Sequence, residues 1–160
     1  MDGRGVAAVL ALGAVAAQLG TAFLTCDEAG VPDVYKQALL AAHEDQTRLT
    51  RAFSGRPARG IVNRFMRELE GSQWQAPGDA DLPAQPDILP FPLQNALTRP
   101  MRTAAARQGR SEFLSLWAGQ GVRMARRTKA ANLVTMLMEE ADAAIARLRA
   151  TATGVHDSNG

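Results

Sequence analysis

The run Gly13-Ala14-Val15-Ala16-Ala17-Gln18-Leu19-Gly20-Thr21-Ala22-Phe23-Leu24 constrains this chain more than any other stretch. From Ala14 to Leu19 there is no alternation of polar and apolar residues. That is the pattern of a strand covered on both faces, and such strands belong to parallel sheets flanked by helices. Gly20 has no Cβ, so the backbone there can come close to a ligand. Thr21 is expected to cap the turn Ala22-Phe23-Leu24, whose free N–H groups then point to where a phosphate would sit, with the helix dipole favouring negative charge. A tight strand-to-helix turn without a ligand gives the same pattern.

The flanking elements follow from local signals. Asp2 suits the N-cap of a helix over about Gly3 to Leu12, with Val6, Val9, Leu10 and Gly13 on its packing side. A helix that delivers a parallel strand is itself delivered by an earlier strand, so the chain reads as starting in mid-motif. Cys26 to Pro32 is a loop in which Asp27 and Glu28 are solvated, and Asp33 caps a helix of Val34 to His43 with Tyr35, Leu39 and Ala42 on one face. Thr47 to Phe53 and Ala58 to Ile61 form a hairpin around Phe53-Ser54-Gly55-Arg56-Pro57, and Asn63 to Glu70 is a short helix. Gly71 to Pro92 is a proline-rich linker or wrapping loop. Pro92 opens a helix over Leu93 to Leu97, which Pro100 either kinks or replaces with a new helix to Arg107. Trp117, set among small residues in Leu114 to Gly121, reads as core or pocket wall, with core favoured. The last helix, Ala130 to Arg149, carries Leu133, Val134, Leu137, Met138, Ala141, Ile145 and Leu148 in a stripe, with Glu139, Glu140 and Asp142 facing away. Thr151 to Gly160 is a frayed tail.

Composition limits the function classes. At 160 residues and 46% hydrophobic the chain suits one domain, and a net charge of +2 is too small to imply a polyanion partner. Arg48, Arg51, Arg56, Arg59, Arg64 and Arg67 invite a nucleic-acid reading, but aromatic residues are scarce among them and Glu68 and Glu70 follow at helical spacing. They are therefore expected to be solvated or paired locally, with Arg56 or Arg59 placed to reach an anion. Cys26 stands alone, which fits a reducing compartment and a cytoplasmic location. No run of ~18 apolar residues exists, so no spanning helix and no membrane partner are expected. Arg4 followed by Val6 to Ala17 imitates a secretory signal, against which Asp2 and the glycines count. Cys26 has no histidine beside it in sequence, and His43 and His156 have no catalytic setting. No catalytic residue and no metal ligand are assigned.

Asp2-Gly3-Arg4-Gly5, Gln18 to Leu24, Leu49 to Gly60, Asn63-Arg64-Phe65, Pro92 to Thr98 and Leu116 to Gln120, taken in order, resemble the C-terminal half of the nitronate monooxygenases, formerly called 2-nitropropane dioxygenases. The resemblance implies an α/β chain that is the C-terminal fragment of a TIM (β/α)8 barrel with an added helical segment. On that basis residues 1–53 hold the last barrel units and the phosphate-binding turn, 54–92 the hairpin and linker, 93–150 the helical segment and 151–160 the tail. It implies FMN as cofactor, with Gln18, Leu19, Gly20 and Thr21 matching the family's flavin contact. The activity implied is oxidation of an alkyl nitronate with O2 to a carbonyl compound and nitrite, the flavin performing the redox step.

The resemblance also implies a deficit. The family's glycine-rich phosphate segment and catalytic-base histidine lie upstream of Asp2, and a barrel needs about 250 residues. The isolated chain is therefore expected to be incomplete and inactive, and a separately encoded N-terminal half is its expected partner. Alternatives are a non-catalytic flavin-binding or partner-binding remnant, a related flavin barrel reducing enoyl thioesters or quinones, and an exported or anion-binding helical protein.

Overall fold

The computed structural model describes residues 2–70 and 88–156, the side chains of 152–156 excepted. Helix α1 (Gly3–Ala11) begins where Asp2 accepts from the amides of Arg4 (3.1 Å) and Gly5 (3.4 Å), the cap expected from the sequence. It lies against the long helix α6 (Ala130–His156), burying Val6 and Ala7 on Ala141. The approach is close enough that a Cβ on Gly3 would collide with Glu140 and with the Leu137 carbonyl.

Glu140 does not face away from the core. Its carboxylate accepts the Gly3 N–H (2.8 Å) and pairs with Arg126 (2.5 Å). The first amides of α1 have no partner inside the helix and carry positive dipole, so a carboxylate delivered by the neighbouring helix is well placed there. Glu28 does the same for α6, accepting the Ala130 N–H at 2.9 Å, so it is bonded where a solvated loop was expected.

Between these helices come α2 (Thr21–Leu24) and α3 (Asp33–Ala41), the latter starting after Pro32 and ending before the expected His43. Lys36 is buried and donates to the carbonyls of Cys26 (2.6 Å) and Asp27 (3.1 Å), which closes the loop joining α2 to α3. Strands β1 (Thr47–Thr50) and β2 (Ala58–Ile61) pair antiparallel as the expected hairpin, Arg48 opposite Gly60 and Leu49 opposite Arg59. β1 stops at Thr50 because its hydroxyl turns to Glu70 (2.6 Å) and the chain tucks Ala52 and Phe53 into the core. Glu70 closes α4 (Arg64–Glu70) and is also held by Arg48 at 3.2 Å.

Helix α5 (Leu93–Arg107) runs through Pro100 as one helix, so of the two alternatives no new helix starts at the proline. The Asn95 carbonyl, one turn before the proline, accepts from Arg102 at 3.0 Å. Gln94 and Thr98 donate to the carbonyls of Ala52 and Phe53, each at 2.6 Å, and fasten α5 to the hairpin turn. The main core joins Leu39, Ile61, Ala105, Leu116 and Val122, and Leu39 and Val122 are wholly buried.

The expected strand is not found. Residues 14–19 form no strand, and the sheet among the described residues is the antiparallel hairpin, so the architecture is mixed helix and sheet without a barrel. A strand exists by its ladder partners, and none runs beside this segment among the described residues. Val15 is fully exposed and Leu12 nearly so. The expected linker falls largely on residues 71–87, outside the described residues, while α6 continues to His156, past the expected start of the tail at Thr151.

The Glu140 contact gives a pH signature. The Arg126 hydrogen bond, then that from Gly3, holds its carboxyl below the ordinary carboxylate range. Its stabilisation is therefore complete above the unfolded pKa, near 4.3, and is lost as pH falls through the depressed folded value. Glu140→Gln should cost about 1 kcal/mol at pH 7, with the deficit shrinking below pH ~4. Urea unfolding at several pH values measures it, and a deficit that stays constant from pH 7 to pH 3 contradicts this role.

Candidate functional site

Gly20 and Thr21 open onto a cleft of about 300 Å3 whose other walls are Leu24, Arg59, Trp117, Ala118 and Gly119. Three places distant in sequence meet here because the 116–119 segment lies along β2. Ile61 donates to the Leu116 carbonyl (2.9 Å) and Ala118 to the Arg59 carbonyl (3.0 Å), so this segment extends the hairpin by a short third edge. Gly60 permits it, since a Cβ there would stand 2.9 Å from the Leu116 carbonyl oxygen and 3.2 Å from the Trp117 ring. Tyr35 of α3 donates to the Trp117 carbonyl at 2.9 Å, and burial keeps its hydroxyl protonated far above the ordinary range.

The four residues expected to contact a ligand are not equivalent. Gly20 is exposed, and a Cβ built on it would meet nothing within 4 Å, so the space before it is open. Its φ of −103° is one that any residue adopts, so glycine is not required there by backbone conformation. Thr21 lines the cleft but does not cap α2. Gly20 holds the N-cap position and supplies no side-chain cap, and the Thr21 hydroxyl accepts the Gly119 N–H at 2.9 Å instead. The loop amide 98 residues away competes successfully for the oxygen that the turn was expected to use. Leu19 is half-buried against Cys26, Leu133 and Leu137, so its side chain anchors the turn to α6. Gln18 is exposed and is not among the residues lining the cleft.

Of the two arginines expected to reach an anion, Arg59 stands at the cleft and also donates to the Thr47 carbonyl at 3.2 Å. Arg56 instead lies over the Phe91 ring, 4.4 Å from its centroid. Trp117 has both expected roles, since one edge packs on Phe53 with centroids 5.7 Å apart while the residue walls the cleft. Cys26 is 1% exposed, and burial, ahead of the charges of Glu28 and Asp27, pushes its thiol up, so it is a packed filler. Leu24 and Gly119 gave no signal in the sequence as site residues, because their places depend on contacts across the fold.

The sequence model of the nitronate monooxygenase family matches residues 1–140, and the chain belongs to that family. A probable nitronate monooxygenase of Bacillus subtilis is 46% identical over 123 residues, 77% of this chain and 32% of the relative. Nitroalkane oxidase from Streptomyces ansochromogenes superposes with a TM-score of 0.77 at 49% identity, covering 92% of this chain and 39% of that one. FabK from Thermotoga maritima superposes with a TM-score of 0.69 at 28% identity, covering 94% of this chain and 44% of that one. The chain thus spans about a third of the curated relative's length.

The Thr21 to Gly119 bond fixes the mouth of the cleft. Thr21→Val is expected to speed amide exchange at Gly119 about fivefold, for a net loss near 1 kcal/mol, while Thr21→Ser leaves it near wild type. Equal protection in all three would show that other contacts hold this loop.

Proposed function

We propose that this chain supplies the flavin-phosphate side of an FMN-dependent nitronate monooxygenase. The observation that carries the reading is the open Gly20-Thr21 turn sharing a cleft with Arg59 in a chain of this family. The residues suit a phosphate. The Thr21 oxygen accepts from Gly119, and its O–H has no acceptor among the described residues, so it is available to a phosphate oxygen. Arg59 supplies positive charge to the same cleft, and Trp117 and Leu24 offer an apolar surface to the body of the cofactor.

When bound, the flavin supplies the redox chemistry that converts an alkyl nitronate and O2 to a carbonyl compound and nitrite. The chain's own part is to bind and orient. Arg59 is the one ionisable side chain among the described residues lining the cleft, and a guanidinium does not serve as a base at neutral pH. By itself, then, the chain holds the cofactor without turning over nitronate. On this reading residues 1–53 belong with the last units of a (β/α)8 barrel, 54–92 with its hairpin and linker, and 93–150 with the added helical segment. Identity of 49% with nitroalkane oxidase against 28% with FabK favours nitronate over enoyl or quinone chemistry.

Titration with FMN and with riboflavin, which lacks the phosphate, tests the reading through quenching of flavin fluorescence. FMN should bind at least tenfold more tightly than riboflavin, as expected for charge-assisted phosphate contacts of ~1.5–3 kcal/mol. Gly20→Val, whose side chain enters the open space, should abolish that preference. Equal affinity for the two flavins in wild type would defeat the assignment.

A further inference from the structure

A second cleft, of about 290 Å3, lies between α5 and the loop leading into α3. Arg99 and Arg102, one helical turn apart, line one side, and Val31, Pro32 and Tyr35 line the other, with Ser115 at the edge. No carboxylate lines it among the described residues. On the α5 side none is close by in sequence, because no acidic residue occurs between Ile88 and Ser111, and Asp33, next to Pro32 on the other side, lies 3.8 Å from Arg127. Other arginines of the chain are matched by acids, Arg48 by Glu70, Arg64 by Glu68 and Arg126 by Glu140. Arg99 makes no hydrogen bond or ion pair among the described residues.

Arg102 is held in place. One terminal nitrogen donates to the Asn95 carbonyl (3.0 Å) and to Asn95 Oδ1 (2.7 Å), while Nε is buried without a hydrogen-bond partner. Burial, and after it the charge of Arg99, draws its guanidinium below the ordinary value. A fixed cation, partly desolvated beside a like charge and without a counter-ion, is unfavourable unless an anion joins it. Guanidinium groups pair with phosphate through parallel N–H bonds. The cleft has volume for roughly ten water molecules, at about 30 Å3 each. That is more than a bare oxyanion needs, and the wall facing the arginines is apolar. The Tyr35 hydroxyl is committed to Trp117, so tyrosine offers the cleft its ring.

We propose that this cleft binds a small organic phosphate, its phosphate between Arg99 and Arg102 and its apolar body on Val31, Pro32 and the Tyr35 ring. The site is separate from the Gly20 cleft and stands or falls apart from the flavin reading.

Calorimetric titration of the 160-residue chain with phenyl phosphate at low ionic strength tests it. Saturable one-site binding is expected, weakened at least tenfold in Arg99→Gln and unaffected by Gly20→Val. Arg99 has no partner to lose among the described residues, so that variant keeps the fold even where Arg102→Gln loosens α5 near Pro100. Arg107→Gln, on the same helix but outside the cleft, should bind as wild type does. Inorganic phosphate should bind several-fold more weakly and phenol not at all. Absence of saturable binding, an unaffected Arg99→Gln, or an equal loss in Arg107→Gln would overturn the site. Equal affinity for inorganic phosphate would overturn the ester and leave free phosphate as the occupant.

Discussion

Four consecutive residues, Leu116 to Gly119, tie the hairpin, α3 and the Gly20-Thr21 turn into one body. Each offers one backbone group to a different partner: Leu116 O to Ile61, Trp117 O to Tyr35, Ala118 N to Arg59, and Gly119 N to Thr21. Their partners lie 55 to 98 residues away in sequence, so this short segment replaces much of the sheet that the fold otherwise lacks. It also determines the shape of the cleft, since three of the four residues wall it. Tight packing makes the arrangement specific: Gly60 leaves room for backbone alone, and Phe53 fills the far side of the indole.

Charge is distributed with the same economy. The carboxylates Glu140, Glu28 and Glu70 are engaged with backbone amides, Glu140 and Glu28 at helix starts and Glu70 at the end of β1, where a carboxylate satisfies donors that regular structure leaves open. The arginines beside these carboxylates are neutralised by them. Each of the two clefts has arginine but no carboxylate in its lining among the described residues, Arg59 at one and Arg99 with Arg102 at the other. This is why both clefts read as places for anions, although the whole chain carries a net charge of only +2.

Local signals were legible. Asp2 capping α1, the burial of Leu133, Leu137 and Ala141 in the stripe of α6, and the Ser54-Gly55 hairpin turn all depend on neighbours within a few residues, and each is found, although Val134, Met138 and Leu148 of that stripe are exposed. The failures share a different cause. Glu140 sits on a face that a helical wheel assigns to solvent, but α1 arrives there from 137 residues away. Thr21 looked like a cap because its oxygen could reach α2, and the Gly119 amide was invisible to any local rule. Residues 14–19 have the composition of a buried strand but no ladder partner among the described residues, and composition alone does not make a strand. The family resemblance, resting on motifs in order, reached further than any of these, and it drew attention to Gly20 and Thr21, which do line a cleft.

The Gly20-Thr21 turn is proposed to receive the phosphate of a flavin. Amide chemical-shift mapping of the isotope-labelled chain during FMN addition tests it most directly. Saturable shifts confined to residues 20–24, Arg59 and 117–119 are expected, with the largest at Gly20 and Thr21. Shifts centred elsewhere, or none at saturating FMN, would contradict it.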